Sequence, residues 1–161
     1  MKLSIIVFTS FYIYSYKSWS TNFKIDWVTE GLPISVEVQR LQGSIKSRVG
    51  ETGELTDKII LPPGRLLKEK NLLILNPDED AYLILIIKNN SNKKLNFGVA
   101  PHSTDPGAAS LGFSFTCLCN GHVYDVGPKK TWYRILRLKT EKQIQATEVK
   151  LTHVIFSAKQ I

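Results

Sequence analysis

Phe113-Ser114-Phe115-Thr116-Cys117-Leu118-Cys119-Asn120-Gly121 is the stretch on which the reading of this chain turns. Its odd positions (Phe113, Phe115, Cys117 and Cys119) alternate with Ser114, Thr116 and Leu118. That two-residue period belongs to a strand, which would put both cysteines on one face. Asn120-Gly121 is the commonest tight hairpin dipeptide, and His122 to Val126 would form the returning strand. Gly127-Pro128 closes it as a turn.

Moving outward, the same texture continues. Ile34 to Leu41 begins as an alternation of apolar and polar residues, the pattern of a half-buried strand. Ser44 to Asp57, with Gly43, Gly50 and Gly53, reads as a loop or hairpin region, and Pro62-Pro63-Gly64 as a turn. Asn71–Leu75 and Tyr82–Ile87 are continuous apolar runs expected as central strands, joined by Asn76-Pro-Asp-Glu-Asp80. The polar turn Asn89–Lys94 leads into Leu95–Ala100. Pro101 to Gly112 is a longer connection. Thr131–Leu138 and Val149–Ser157 are the last strand-like runs. No 3.6-residue period is sustained in the body of the chain. Seven or eight short strands at this spacing predict an all-β sandwich over residues 21–161.

The composition agrees with one folded domain. The chain has 161 residues, 43% hydrophobic and 22% charged, which suits a real core and excludes a disordered chain. It carries a formal charge of +7. Residues 1–20 differ in character: Met1-Lys2 precedes a charge-free apolar run from Leu3 to Tyr16. The length fits a signal peptide and is short for a membrane span. Tyr, Lys and Trp19 stand where a cleavage site would need small residues, so an uncleaved anchor with Tyr16 and Trp19 at the interface is one reading. A buried strand is the other, because Ile, Val, Phe and Tyr are strand formers.

Two cysteines are too few for a disulfide scaffold or a four-thiolate zinc site. As residues i and i+2 of one strand, Cys117 and Cys119 would lie about 6.5–7 Å apart, close enough for two thiolates to meet on one ion. Two sulfurs suit Cu(I); zinc would need two further ligands. A disulfide across one intervening residue would be strained and labile. Buried, unreactive thiols are the plain alternative. His122, just past the Asn120-Gly121 turn, is a candidate third ligand. His102 can fold over the same site from its connection. His153 sits among alternating strand residues and is expected as a hydrogen-bonded core histidine. The run from Cys117 to Asp125 also has the outline of a Rieske cluster box. Asn120 stands where that box needs a ligand histidine, and no other cysteine exists, so the cluster cannot be built.

From Leu83 to Phe156 the chain resembles the copper-delivery family of cytochrome c oxidase assembly proteins. The resemblance rests on the strand entering Asn89-Asn-Ser-Asn-Lys-Lys-Leu95, on Val99-Ala-Pro followed by Pro106-Gly-Ala-Ala109, on the aromatic strand ending in Cys117-x-Cys119, and on the turn at Gly127-Pro128. It implies an immunoglobulin-like sandwich on an amino-terminal membrane anchor, at the outer face of the bacterial inner membrane (the periplasm) or in the mitochondrial intermembrane space. It implies Cu(I) held by Cys117 and Cys119 and passed to a respiratory oxidase subunit. Leu118 and Asn120 replace the two phenylalanines of the family motif, and the family's additional cysteine near the anchor is absent.

Other chemistries find little support. There is no glycine-rich phosphate loop and no Gly-x-Ser-x-Gly elbow. Asp78-Glu-Asp80 lacks the spacing of a calcium loop. Lys129-Lys130-Thr-Trp-Tyr-Arg134 interleaves cations and aromatics, but reads as a turn and a strand with Trp132 and Tyr133 on opposite faces rather than a nucleic-acid surface. The expectation is therefore a non-enzymatic, membrane-associated copper metallochaperone. Its metal ligands would be Cys117, Cys119 and His122, its partners an oxidase acceptor and the membrane surface, with no nucleic acid and with a homodimer able to share the ion. A metal-free accessory subunit of a respiratory complex and a thiol-redox protein are the alternatives.

Overall fold

The computed structural model describes residues 19–43, 45–67, 71–116 and 118–158. The apolar amino-terminal segment expected as signal or anchor falls almost wholly outside these residues, as does Cys117. No helix among the described residues is long and apolar enough to cross a membrane.

Twelve strands are found among the described residues: β1 (Thr21–Val28), β2 (Ile34–Leu41), β3 (Thr52–Glu54), β4 (Gly64–Leu66), β5 (Leu72–Leu75), β6 (Asp80–Asn89), β7 (Leu95–Val99), β8 (Ser103–Asp105), β9 (Phe113–Phe115), β10 (Tyr124–Val126), β11 (Thr131–Thr140) and β12 (Glu148–Ser157). They form two sheets packed as a β-sandwich. One runs β10-β7-β12-β1-β5, with β8 also on β12; the other runs β3-β11-β6-β2-β4, with β9 also on β11. The strands beyond the expected eight are β1, whose pairing is with the distant β12 and β5, and the three-residue β3, β4 and β8, too short to leave a period in the sequence.

The long strands follow their patterns. β2 occupies the whole predicted alternation. β6 is central in its sheet, and its continuous apolar run has a physical cause. Leu83, Leu85 and Ile87 face the core between the sheets. Ile84 faces outward, yet it is buried beneath Leu41, Ile45, Tyr133 and Ile135, with Leu55, Ile59 and Leu61 packed around them. The polar-looking segment after β2 thus covers the outer face of its own sheet. Arg48 fastens this cover: its Nε and Nη2 each donate at 2.7 Å to Glu51, and Tyr133 Oη donates to Glu51 Oε1 at 2.7 Å. Trp132 and Tyr133 are both buried, in the inner and the outer cluster respectively.

Three expectations are corrected. Asn71–Leu75 supplies β5, which lies at the edge of its sheet rather than the centre, and Ile74 is half-exposed there. Pro62-Pro63-Gly64 makes no turn; Gly64 opens β4 along β2. Asn120-Gly121 closes no hairpin, because β9 pairs with β11 and β10 pairs with β7, so the chain crosses from one sheet to the other.

The sandwich is closed at its ends by polar side chains. β12 runs parallel to β1, an arrangement no local turn could encode. Asn89 is fully buried: its Nδ2 donates to the carbonyls of Lys93, Val126 and Gly127, and its Oδ1 accepts from Ser91 N and Oγ. One side chain therefore ties the end of β6 to the end of β10 in the facing sheet.

β7 and β8 lie in succession on the same edge of β12. Val99 pairs with Ile155, and Ser103 with Thr152. Ala100, Pro101 and His102 therefore stand opposite only His153 and Val154. The extra residue is a β-bulge, which shifts alternation by one. Proline is tolerated there because a bulge leaves a ladder donor unneeded.

Candidate metal and redox site

β9 ends at Phe115, and none of Thr116, Leu118 and Cys119 is strand. Thr116 N still donates to Arg137 O at 2.8 Å, holding the chain against β11 for one more residue. Leu118 then sits at a bend and is fully buried in the main core. Burying this even-numbered side chain breaks the parity that Phe113 and Phe115 set. The physical reason is apolar content: Leu118 offers more surface to bury than either thiol. The expected continuous strand is therefore corrected at Leu118, which is buried at a bend beside Cys119; the shared face of the two cysteines involves Cys117, which lies outside the described residues.

Cys119 is partly exposed and disulfide-bonded. Cys117, the chain's other cysteine, lies outside the described residues. Beyond Cys119 the chain turns tightly. Asn120 N donates to Leu118 O at 2.8 Å, Asn120 Oδ1 accepts from His122 N and from Tyr124 Oη, and Gly121 takes a φ of +75°. A positive φ at this point is where glycine costs least. His122 is exposed, with its ring set edge-on to Tyr124. Among the described residues, no group of three or more His, Cys, Asp or Glu is arranged to hold a metal ion.

The other two histidines meet inside the sandwich. His153 is on β12 with no exposed surface, stacked on Trp27 of β1 at 4.3 Å between ring centres. Trp27 and His153 are ladder neighbours, so the stack follows from register. His102 lies 5.3 Å from His153, and Phe115 stands edge-on to both rings at 6.0 and 5.3 Å. The bulge produces this meeting. Phe97 and Val99 point inward from β7; past the extra residue the inward set becomes even-numbered, which brings His102 to the inner face beside His153.

His153 is a core residue as expected, but it is not hydrogen-bonded. Both of its ring nitrogens are buried with no partner among the described residues, as are His102 Nδ1 and Trp27 Nε1. Burial pushes the His153 imidazole down to about 3, with a smaller contribution from His102, and burial lowers His102 as well. Both are neutral at pH 7. Their meeting has one sequence signal, Pro101 standing inside an extended run, which marks a bulge.

A surface cleft of about 800 Å³ runs between Pro106, Ala109, Leu111, Lys139 and Ile144; no cysteine or histidine lines it. Residues 21–158 match the family described as Domain of unknown function (DUF8709). No curated protein matches the chain.

Proposed function

We propose that this chain, which belongs to the DUF8709 family, is a redox-gated copper-binding module that carries Cu(I) on Cys117 and Cys119. The observation that carries the reading is the state of Cys119: disulfide-bonded, partly exposed, and adjacent to a fully buried Leu118. With two cysteines in the chain, an internal disulfide of Cys119 closes on Cys117. In that form neither sulfur is a thiolate, and thiolate is the species that binds soft metal ions.

Reduction by a dithiol supplies two electrons and two protons, leaves two thiols here and oxidises the donor to its own disulfide. Cu(I) then displaces the two thiol protons and is held by two sulfurs. Leu118, buried between the two cysteines, anchors the segment while Cys119 stays within reach of an acceptor's ligands. His122 is exposed on the following turn and serves as a third, exchangeable ligand. Ligand exchange to a respiratory oxidase subunit completes the transfer, with the amino-terminal segment holding the domain at the outer face of the membrane. The cysteine disulfide equally favours a thiol-redox protein, and metal binding separates the two readings.

Anaerobic Cu(I) titration of the reduced full chain against a chromogenic chelator tests this. One ion is lost with Cys117→Ser or Cys119→Ser. Unchanged stoichiometry in both variants would exclude a thiolate site.

A further inference from the structure

The imidazole pair is not explained by the cysteine chemistry proposed above. Buried polar atoms are almost always partnered, and each exception calls for a physical cause. Here four orphaned nitrogens fall in one cluster: both of His153, one of His102 and one of Trp27. A fully buried imidazole gives up its hydration, and no partner among the described residues restores it here. The bulge that delivers His102 to this spot places a second orphan beside the first, where a regular strand would have turned it outward. Bulges characteristically re-aim a side chain beside functional sites.

We infer that His102 and His153 form a second metal site, which binds one Cu(I) ion through a nitrogen of each ring. With metal–nitrogen bonds near 2 Å, two imidazoles on one metal have ring centres about 5 Å apart at a tetrahedral angle and about 6 Å apart when collinear, so a two-coordinate ion needs the rings to part by less than about 1 Å. The observed separation is 5.3 Å. Neutral imidazole is a good ligand for copper and zinc, and burial keeps both rings neutral. Charge and coordination number decide between the metals. Zinc needs four ligands, and the described residues bring no third His, Cys, Asp or Glu to this pair. A dication in a dry pocket of neutral groups would also be uncompensated, and the cost of burying charge rises with its square. Cu(I) carries one charge and accepts two ligands. Trp27, stacked on His153, and Phe115, edge-on to both imidazoles, line the pocket with apolar surface.

The test uses the full chain with both cysteines replaced, C117S/C119S, so that the thiolate reading is removed from the outcome. Anaerobic titration with Cu(I) against a chromogenic chelator is expected to give one ion per chain. X-ray absorption at the copper edge is expected to show nitrogen neighbours with the outer-shell pattern of imidazole. Adding His102→Gln, at a partly exposed position that tolerates the change, is expected to reduce affinity at least tenfold; adding His153→Gln is expected to do the same. Unchanged near-ultraviolet circular dichroism in the His102→Gln form keeps the result interpretable. No Cu(I) on C117S/C119S would overturn the proposal. So would a bound ion that survives both histidine substitutions, or one whose spectrum lacks imidazole. Loss of the thiolate ion alone in wild-type chain would refute the cysteine reading and leave this one standing.

Discussion

Leu118 decides where the cysteines sit. It is fully buried while Thr116, Cys119 and Asn120 are partly or wholly exposed, so the chain bends to keep it in the core. Leu118→Ala is expected to cost about 2–4 kcal/mol, the range for truncating a buried leucine, read by chemical denaturation. Its alternating neighbours made a continuous strand the natural expectation from sequence. A single apolar residue of the wrong parity was the sign that it would break. His153 gives a second residue-scale prediction. The folded protein keeps this ring neutral down to about pH 3, whereas an unfolded chain protonates it near its ordinary value of 6.5. Between those values the unfolded state binds more protons, so stability falls as pH falls. Denaturation between pH 6.5 and 5 is expected to show a loss of about 1–2 kcal/mol. His153→Phe is expected to remove most of it, and an unchanged slope in that variant would mean that the ring is not buried neutral. Glu51 belongs to a lower window. Arg48, and then Tyr133, hold its carboxyl down to about 2, so its stabilisation is present above its ordinary value of 4.5 and lost only as pH falls from there toward 2.

Elements whose residues carry their own period could be read directly; elements defined by pairing could not. β2, β6, β11 and β12 lie where alternation or apolar runs placed them. The edge position of β5 and the parallel union of β1 with β12 depend on contacts between distant segments, which no local pattern records. The bulge between β7 and β8 belongs to this second kind. One residue more on one strand than on its partner is visible only once both strands are paired. Deleting Pro101 is expected to restore regular register with His102 directly opposite His153, still on the inner face, so its ring should keep a lowered pKa, measured by nuclear magnetic resonance of the histidine protons. Titration as an ordinary exposed imidazole in this variant would show that register does not place this side chain. At the sandwich end, Asn89→Ala strips the partners from three carbonyls and from Ser91. A loss of about 2–3 kcal/mol is expected in thermal or chemical unfolding.

The whole molecule is a sandwich whose two chemical features occupy neighbouring places and different environments. The histidine pair is walled in between the sheets against Phe115, and the cysteine segment begins two residues after that ring. The β-class was legible in the sequence, because strand periods are local; the bend at Leu118 was not, because it is set by what the core accepts. The histidine pair was not, because His102 and His153 are brought together by register and by an inserted residue. The proposed place at a membrane surface rests on the charge of +7 and the apolar run from Leu3 to Tyr16, since basic residues each contribute about 1 kcal/mol near anionic lipid. The central claim concerns what the cysteine pair does when its disulfide opens. The measurement that reaches it most directly is the Cu(I) stoichiometry of the full chain before and after anaerobic reduction by a dithiol. Reduction is predicted to add one ion per chain, and Cys119→Ser to abolish that gain. Equal stoichiometry in the oxidised and reduced chain would contradict the account.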